Sequence, residues 1–385
     1  MIYIPIEMTD NSLGNKLHVG QLYVPSFEDF GDVIDEISKS KYHTNNGPLL
    51  QKLERELAIY LGVKYVLAVT NGTIGLMIAL EALHKEGGVL TPRFSFPATM
   101  NAVCMIGADL FFCDTLRSSP NVCLESLEEK LINNNNNIST VLLPNLWSTV
   151  NNIDDINFLS NKYNVDLIYD SSQAFSCSYK QQKISRNGNA EVFSFHATKL
   201  ITAFEGGCIT TNNRNLYEKL SHIRSNYGAI GSFDKPIKTA NGMMSELQAG
   251  LCLKSLSKIK SSVEHNKKIF NLYNKLLYPN NKYKIFEPGS ERIESNYQYF
   301  VFIINPNYKE FRDKLKYELI KNNILARSYF NYDFSIFNNE GFIDFPNSIE
   351  LSKSAICLPI GQRITSKDVK FVADTINNFF DKINL

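Results

Sequence analysis

Between residues 65 and 195 the chain alternates short apolar runs with helical segments, and this alternation restricts the possible folds most strongly. The apolar runs end in polar or turn residues, which is typical of buried strands. The predicted strands cover residues 65–69, 89–90, 110–113, 141–144, 166–169 and 192–195, and the predicted helices cover 74–83, 98–106 and 153–163. Strands that alternate with helices form a mainly parallel sheet with helices on both faces. We therefore predict an α/β fold.

The pattern changes after about residue 256. A long helix rich in Lys and Asn comes first, and it is followed by an edge-like strand over residues 299–304 and by helices over 311–321 and 367–383. We interpret this part as an α+β unit. The sequence thus predicts a large domain over residues 1–256, with an N-terminal segment, and a smaller domain over 257–385.

Composition excludes several classes of protein. The 385 residues contain 40 basic and 39 acidic side chains, so the net charge of +1 favours neither nucleic acid nor a membrane surface as a partner. The six histidines do not pair at metal-ligand spacing. The seven cysteines are scattered, mostly within apolar runs, and are interpreted as reduced core residues. No apolar run has the length of a signal sequence or a bilayer span. We expect a cytoplasmic protein without a metal site.

The stretch from Val192 to Lys199 is the first candidate for chemistry. Its apolar start reads as a buried strand, and its lysine follows small and polar residues. A lysine at the end of a buried strand is partly desolvated, which lowers its pKa and makes its amine nucleophilic. This is a physical route to a Schiff-base lysine. Lysines are more often solvated surface residues, so this stretch alone leaves both interpretations open.

Other strand ends carry polar residues that suit a phosphorylated ring. Gly72-Thr73 separates a strand from a helix, where backbone N–H groups favour a phosphate, and Ser194 could donate to the same group. Asp170 could bind a protonated pyridine nitrogen, and Phe96 could stack on the ring. Each feature also has an ordinary explanation: a turn at Gly72-Thr73, a helix cap at Asp170 and a core position for the phenylalanine.

Taken in order, these and later motifs resemble one family. The motifs are Asn71-Gly72-Thr73, Phe94-Ser95-Phe96-Pro97-Ala98-Thr99, Asp170-Ser171-Ser172-Gln173-Ala174, Ser194-Phe195-His196-Ala197-Thr198-Lys199, Glu205-Gly206-Gly207, Asn226-Tyr227-Gly228 and Asn241-Gly242-Met243-Met244-Ser245-Glu246. Together they are similar to the DegT/DnrJ/EryC1/StrS family of sugar aminotransferases, which depend on pyridoxal 5′-phosphate (PLP). The similarity runs from about residue 47 to 256 and more weakly to 358–360. It implies fold type I, with a mainly parallel seven-stranded sheet between helices.

The resemblance assigns roles to individual residues. It implies that Lys199 is catalytic: it holds PLP covalently and then moves the substrate proton. Asp170 is expected to bind the pyridine nitrogen, Gln173 to lie by the ring hydroxyl and Phe96 to stack on the ring. The residues expected to hold the phosphate are Gly72, Thr73, Ile74 and Ser194. Asn241 is expected to reach the phosphate in the neighbouring subunit, which implies a homodimer with shared active sites.

The resemblance also implies two substrates, L-glutamate (or glutamine) as amino donor and a nucleotide-linked keto sugar as acceptor. The wording of the motifs is most similar to members that aminate C4 of dTDP-4-keto-6-deoxyglucose for O-antigen or other surface polysaccharides. Met243 stands where relatives usually have Lys or Arg, so a basic contact near the site is missing. Amination at C3, a UDP-linked sugar, dehydration and a non-catalytic regulator are the alternatives. Dehydrating relatives carry a histidine in place of the lysine, or a cysteine cluster, whereas this chain has Lys199 and scattered cysteines. A regulator would carry a DNA-binding segment, and this sequence shows none.

Overall fold

A computed structural model describes residues 16–20, 23–83, 86–133, 137–225, 240–330 and 345–383. Within these ranges the chain forms short strands and longer helices. The strands are β1 (Leu17–His18), β2 (Tyr65–Val69), β3 (Gly88–Pro92), β4 (Leu110–Cys113), β5 (Ile138–Pro144), β6 (Asp166–Asp170), β7 (Ser178–Tyr179), β8 (Gln182–Lys183), β9 (Ala190–Ser194), β10 (Gly207–Thr211), β11 (Tyr283–Ile285), β12 (Ile293–Glu294), β13 (Phe300–Ile304), β14 (Ile324–Leu325) and β15 (Ala355–Leu358).

The helices cover both the N-terminal and the C-terminal parts of the chain. They are α1 (Phe27–Ser40), α2 (Pro48–Leu61), α3 (Gly72–Leu83), α4 (Pro97–Ile106), α5 (Leu124–Asn133), α6 (Ile153–Tyr163), α7 (Arg214–Arg224), α8 (Glu246–Ser257), α9 (Ile259–Leu276), α10 (Glu310–Lys321), α11 (Pro346–Ser354) and α12 (Ser366–Ile383). None of the helices in the described ranges combines the length and the apolar character that crossing a membrane requires.

The main sheet has seven strands in the order β2-β10-β9-β6-β5-β3-β4. Neighbouring strands from β9 to β4 are parallel, whereas β10 runs antiparallel to both β2 and β9. Helices cover both faces: α3, α4 and α7 pack their apolar side chains on one face, and α2, α5, α6 and α8 on the other. The predicted α/β fold with a mainly parallel seven-stranded sheet is thus confirmed.

The C-terminal part builds a second, smaller sheet of antiparallel strands in the order β11-β13-β15. The prediction that residues 299–304 form an edge strand is wrong, because β13 is the central strand of this sheet. All five of its residues are buried, since α9, α10 and α12 pack on one face of the sheet and a cluster around Phe94 and Trp147 covers Val301 and Ile303 on the other. A continuous apolar run is the pattern expected of a strand that is buried on both faces.

Two short strand pairings connect the two parts of the chain. Strand β1 lies parallel to β14, with Leu17 opposite Ile324. Strand β12 pairs with β7, so that Ile293 lies opposite Tyr179. The first pairing brings the N-terminal segment toward the end of β9, where Gly20 approaches Thr198 so closely that a Cβ atom would lie 3.0 Å from the threonine Cβ. Both pairings thus join segments of the C-terminal part to segments that precede them in the sequence.

Candidate active site

A cavity of about 900 Å³ opens at the carboxyl ends of β2, β6 and β9. Polar side chains at the ends of parallel strands meet at the same edge of a sheet, so this is where a site is expected. Eight of the nine residues predicted for the site line the cavity: Gly72, Thr73, Ile74, Phe96, Asp170, Gln173, Ser194 and Lys199. The structure therefore brings these eight residues together at one cavity.

The N-terminus of α3 forms one end of the cavity. The helix begins at Gly72, two residues earlier than its predicted start, and Asn71 Oδ1 accepts the N–H of Ile74 at 2.9 Å. A Cβ atom on Gly72 would lie 2.9 Å from Ser194 Cβ and 3.5 Å from Ser172 Oγ. Because Gly72 has no side chain, the hydroxyl groups of Ser194 and Ser172 can lie close to the helix N-terminus. Such a place is favourable for a phosphate. Ser172 is not among the residues predicted for the site.

Asp170 lies at the end of β6 and is only 6% exposed. One carboxylate oxygen accepts the Thr99 hydroxyl at 2.8 Å, and the other accepts the N–H of Ser172 at 3.2 Å. Ser95 donates in turn to the Thr99 hydroxyl at 2.9 Å. The sequence left open that Asp170 caps a helix. The bond from Ser172 is a local contact of that kind, but no helix follows the aspartate. A carboxylate held in this way still has lone pairs for a ligand that carries an N–H group.

Lys199 lies in the turn after β9, where its N–H donates to His196 O at 2.8 Å. Gln298 fixes the same turn, because its side-chain amide donates to Thr198 O at 3.2 Å. Burial lowers the pKa of Lys199 from its usual value to about 8, although the Asp170 carboxylate acts in the opposite direction. About a tenth of such an amine is neutral at pH 7, which favours a nucleophile over a solvated surface lysine.

Gln173 and Phe96 both line the cavity. Gln173 is 4% exposed, and its Oε1 atom accepts the N–H of Trp147 at 2.9 Å, so the amide is fixed. Phe96 is 46% exposed and packs edge-to-face on Phe330, with ring centroids 6.0 Å apart. Its neighbour Phe94 is a core residue that is 1% exposed. The two phenylalanines of this motif therefore have different roles, and only Phe96 offers a free face to a ligand.

Asn241 does not line the cavity of this chain. It is exposed and forms a β-bridge with Ser225, next to residues that lie outside the described ranges. The Asn226-Tyr227-Gly228 motif lies in that same gap. Gly242 follows Asn241 directly, and its carbonyl accepts a hydrogen bond from the Thr70 N–H at 2.9 Å. This bond anchors the segment around Asn241 to the end of β2. Met243 is partly buried and does not line the cavity.

The outer part of the cavity contains residues that are not among the nine predicted for the site. Met77 on α3 and Met105 on α4 lie on one side, and Tyr299, Arg327 and Tyr329 come from the C-terminal part. We call these five residues the rim. We call Gly72, Asp170, Gln173, Ser194 and Lys199 the floor. Met77 and Met105 lie within the helices predicted over residues 74–83 and 98–106.

Comparison with known proteins agrees with this geometry. The profile of the DegT/DnrJ/EryC1/StrS aminotransferase family matches residues 27–377. The chain belongs to this family. The dTDP-4-amino-4,6-dideoxy-D-glucose transaminase of Shigella dysenteriae is 31% identical over 364 residues, which cover 94% of this chain and 98% of that protein. The UDP-4-amino-4,6-dideoxy-N-acetyl-beta-L-altrosamine transaminase of Campylobacter jejuni is 28% identical over 345 residues, which cover 88% and 91% of the two chains.

Solved structures share the whole fold. The crystal structure of DesI with its TDP-sugar product has a TM-score of 0.88 and 25% identity, and the alignment covers 94% of this chain and 93% of DesI. The PLP form of Spr1654 from Streptococcus pneumoniae has a TM-score of 0.85 at 19% identity and covers 96% of this chain and 99% of Spr1654. This DegT-family chain is therefore a PLP-dependent sugar aminotransferase whose substrate class is keto-sugar nucleotides.

The floor fits the cofactor on its own chemistry. A phosphate needs N–H and hydroxyl donors without a side chain in the way, and the start of α3 offers them around Gly72. A pyridine nitrogen needs a buried carboxylate, and Asp170 is one. An aldehyde needs an amine with a lowered pKa, and Lys199 has one. Three strand ends of one sheet bring these three groups to one cavity.

Proposed function

We propose that this enzyme moves the amino group of L-glutamate to C4 of dTDP-4-keto-6-deoxyglucose, for O-antigen or another surface polysaccharide. The observation that carries the reaction class is the convergence of the Lys199 amine, the Asp170 carboxylate and the Gly72 turn in one cavity. The choice of sugar is supported by two relatives, each 31% identical, that are dTDP-4-amino-4,6-dideoxy-D-glucose transaminases. We place the reaction in the cytoplasm.

In this proposal the floor orients the cofactor, which supplies an electron sink for the substrate carbon when it is bound. Gly72, Thr73 and Ile74, at the start of α3, and the hydroxyl of Ser194 hold the phosphate. Asp170 accepts a hydrogen bond from the ring nitrogen and keeps that nitrogen protonated, because a buried carboxylate stabilises the positive charge beside it. The hydrogen bonds from Thr99 and Ser172 keep this carboxylate in place.

Gln173 and Phe96 position the ring of the cofactor. Gln173 lies by the ring hydroxyl, with its amide orientation set by the bond from Trp147. Phe96 stacks on the ring through its exposed face. Lys199 binds the cofactor covalently through Nζ, and its amine, once released, carries the proton to and from the substrate carbon. A pKa near neutrality suits this acid–base role, because the amine can both accept and return a proton.

The proposed assembly is a homodimer with shared active sites. Asn241 is exposed and outside its own cavity, so we infer that it reaches the phosphate bound in the partner subunit. Sedimentation should then give about twice the chain mass of 43.7 kDa. An Asn241→Ala variant should remain a dimer and bind PLP less tightly. A monomer that binds PLP as tightly as a dimer would contradict this part of the proposal.

We also propose a domain boundary between residues 256 and 257. The support is that α8 ends at Ser257, α9 begins at Ile259, and the strands of the smaller sheet all come later. Hydrogen exchange in increasing denaturant should divide the chain into two cooperative units that meet there. Exchange that runs as one unit across residue 256 would contradict the boundary.

The visible spectrum of the PLP-loaded protein tests the substrates. L-Glutamate alone should bleach the visible band, and dTDP-4-keto-6-deoxyglucose should restore it with an amino group at C4 of the product. A band that L-glutamate does not change would contradict the donor, and L-glutamine is then the donor to try. A band that a UDP-linked or 3-keto sugar restores, but this sugar does not, would contradict the acceptor. Loss of water from the sugar without amination would indicate the dehydration reaction instead.

A further inference from the structure

A buried carboxylic acid lies beneath the floor and has no part in the chemistry described so far. Glu191 is a residue of β9 and is 0% exposed. It lies opposite Tyr169 of β6 on one side and Thr210 of β10 on the other. None of the ion pairs found among the described residues includes it. A carboxyl group buried without a cation favours its neutral form.

A chain of hydrogen bonds links this acid to the residue on each side of Asp170. The Ser171 hydroxyl donates to Glu191 Oε1, and Asn145 Nδ2 donates to the Ser171 hydroxyl at 2.9 Å. The backbone N–H of Asn145 donates to Asp170 O at 2.9 Å, while the N–H of Ser171 donates to Val192 O at 2.8 Å. The peptide that carries the Asp170 carboxylate is therefore held by a network that ends at the buried acid.

We propose that Glu191 is a positioning residue for Asp170, and that it holds the cofactor-binding carboxylate in place only while its own carboxyl group is uncharged. The inference rests on the proposed role of Asp170. Glu191 does not touch the cavity and acts through Ser171 and Asn145. Its ionisation places a negative charge in the hydrogen-bond network that holds the Asp170 peptide, and no ion pair among the described residues compensates that charge.

The surroundings of Glu191 make this ionisation unfavourable. The titratable groups that interact with it from neighbouring elements are Tyr169, Cys177 and Cys208, and burial raises the pKa of each of them. All three are therefore uncharged. Neither Glu191 Oε2 nor the Tyr169 hydroxyl has a hydrogen-bond partner in the structure. Burial raises the pKa of Glu191 from 4.5 to about 8, so the acid changes charge within the working range of an enzyme.

The same shift makes the stability of the protein depend on pH. Between about pH 5 and pH 8 the folded state keeps the proton of Glu191 and the unfolded state has lost it. The folded state then binds more protons, so the free energy of unfolding falls as pH rises through this window. A Glu191→Gln variant lacks this contribution. The difference in unfolding free energy between wild type and variant should therefore change in favour of the variant as pH increases.

The decisive experiment measures PLP affinity as a function of pH for the full-length wild type, Glu191→Gln and Tyr169→Phe. The wild type should bind PLP about tenfold less tightly once pH exceeds 8 by one unit, because the network then carries a charge. Glutamine is neutral at every pH, so Glu191→Gln should keep its affinity through that range. Tyr169→Phe removes an unpaired hydroxyl beside the acid and should keep the wild-type loss. Lys199 titrates in the same range in all three proteins. The test therefore compares the loss of PLP affinity with pH between the proteins, and not the loss in any one of them.

A second variant keeps the inference testable if Glu191→Gln does not fold. Ser171→Ala cuts the link between the acid and Asp170, and it should bind PLP more weakly than wild type without the additional loss above pH 8. The inference is overturned if Glu191→Gln or Ser171→Ala loses affinity with pH as the wild type does. Asp170→Asn separates this outcome from the proposed function. If Asp170→Asn binds PLP normally, the role of Asp170 fails; if it does not, while Glu191→Gln follows the wild type, only the inference about Glu191 fails.

Discussion

The floor and the rim of the cavity differ in how firmly the chain holds them. Most floor residues are buried, with Gln173 4% and Asp170 6% exposed, and hydrogen bonds from Thr99 of α4 and from the loop residue Trp147 fix these two side chains. Rim residues are more exposed on average, with Met105 67% exposed, although Tyr299 is 6% exposed. The floor comes from one sheet, whereas the rim combines two helices of the main part with loops of the C-terminal part.

This difference separates the reaction from the choice of substrate. A cofactor needs groups held in one geometry, and the ends of parallel strands provide it. A sugar nucleotide is large and flexible, so its binding does not need one fixed geometry. The aromatic, sulfur-containing and cationic side chains of the rim can be substituted without altering the sheet. We therefore expect substitutions in the floor to affect every substrate, and substitutions in the rim to change the affinity for one of them.

The largest expected effect is in the floor, at Lys199. A Lys199→Ala variant should lose its visible band and at least about a thousandfold in turnover, because it lacks both the covalent link and the proton carrier. Lys370→Ala removes an exposed lysine of α12 and serves as the control. Turnover of Lys199→Ala within tenfold of this control would remove the basis for treating the floor as the catalytic region.

Asp170→Asn tests whether the floor works through charge as well as shape. The amide keeps the size of the side chain and its oxygen can still accept from Thr99. Without the negative charge the ring nitrogen loses its proton, so kcat/KM should fall by about a hundredfold. Thermal unfolding of the PLP-free protein provides the control, since it should change little. Activity within threefold of wild type would mean that the carboxylate only shapes the turn.

Gly72→Ala tests the space at the start of α3. The new Cβ atom would lie 2.9 Å from Ser194 Cβ, so the helix start or the serine must move. We expect PLP to bind about tenfold more weakly, the usual size of an overpacking effect. Gly31→Ala in α1 is a matched control, because nothing lies within 4 Å of its Cβ position. Equal PLP affinity of the two variants would show that the cradle is not close-packed.

The smallest expected effect is in the rim, at Arg327. This arginine is exposed, so a charge pair with an anionic substrate is screened by solvent. Arg327→Ala should raise KM for the sugar nucleotide about fivefold, while the visible spectrum and the PLP affinity stay as in wild type. A changed spectrum would place Arg327 with the floor. Unchanged KM for both substrates would mean that this arginine takes no part in binding.

The same contrast explains what the sequence could predict. These floor residues follow apolar runs within a few positions, so the strand pattern located Asp170 and Lys199 as well as Gly72, and the motifs identified the family. Rim residues such as Tyr299 and Arg327 are held by contacts distant in sequence: the Tyr299 N–H donates to Ser148 Oγ, and Arg327 forms a β-bridge with Cys357. No local pattern contains that information. Ser172 was missed for a related reason, since its proximity to Gly72 depends on the pairing of β6 with β9.

Element prediction failed where tertiary contacts override local patterns. Strand β10 was not predicted because Gly207–Thr211 contains few strongly apolar residues, yet all five are buried between two strands. Strand β13 was taken for an edge strand because its two partners, β11 and β15, lie on either side of it only in the folded chain. The parallel strands β4 and β6 were predicted to within one residue, since each is bounded by turn or helix signals of its own.

The most direct test of the floor as the catalytic region is to locate the lysine that holds the cofactor. Reduction of the PLP-loaded protein with borohydride, followed by digestion and mass spectrometry, makes the attachment permanent and identifies the modified residue. We predict one modified lysine, Lys199. Modification of a different lysine, or a protein that holds PLP without any covalent attachment, would contradict the account of this site.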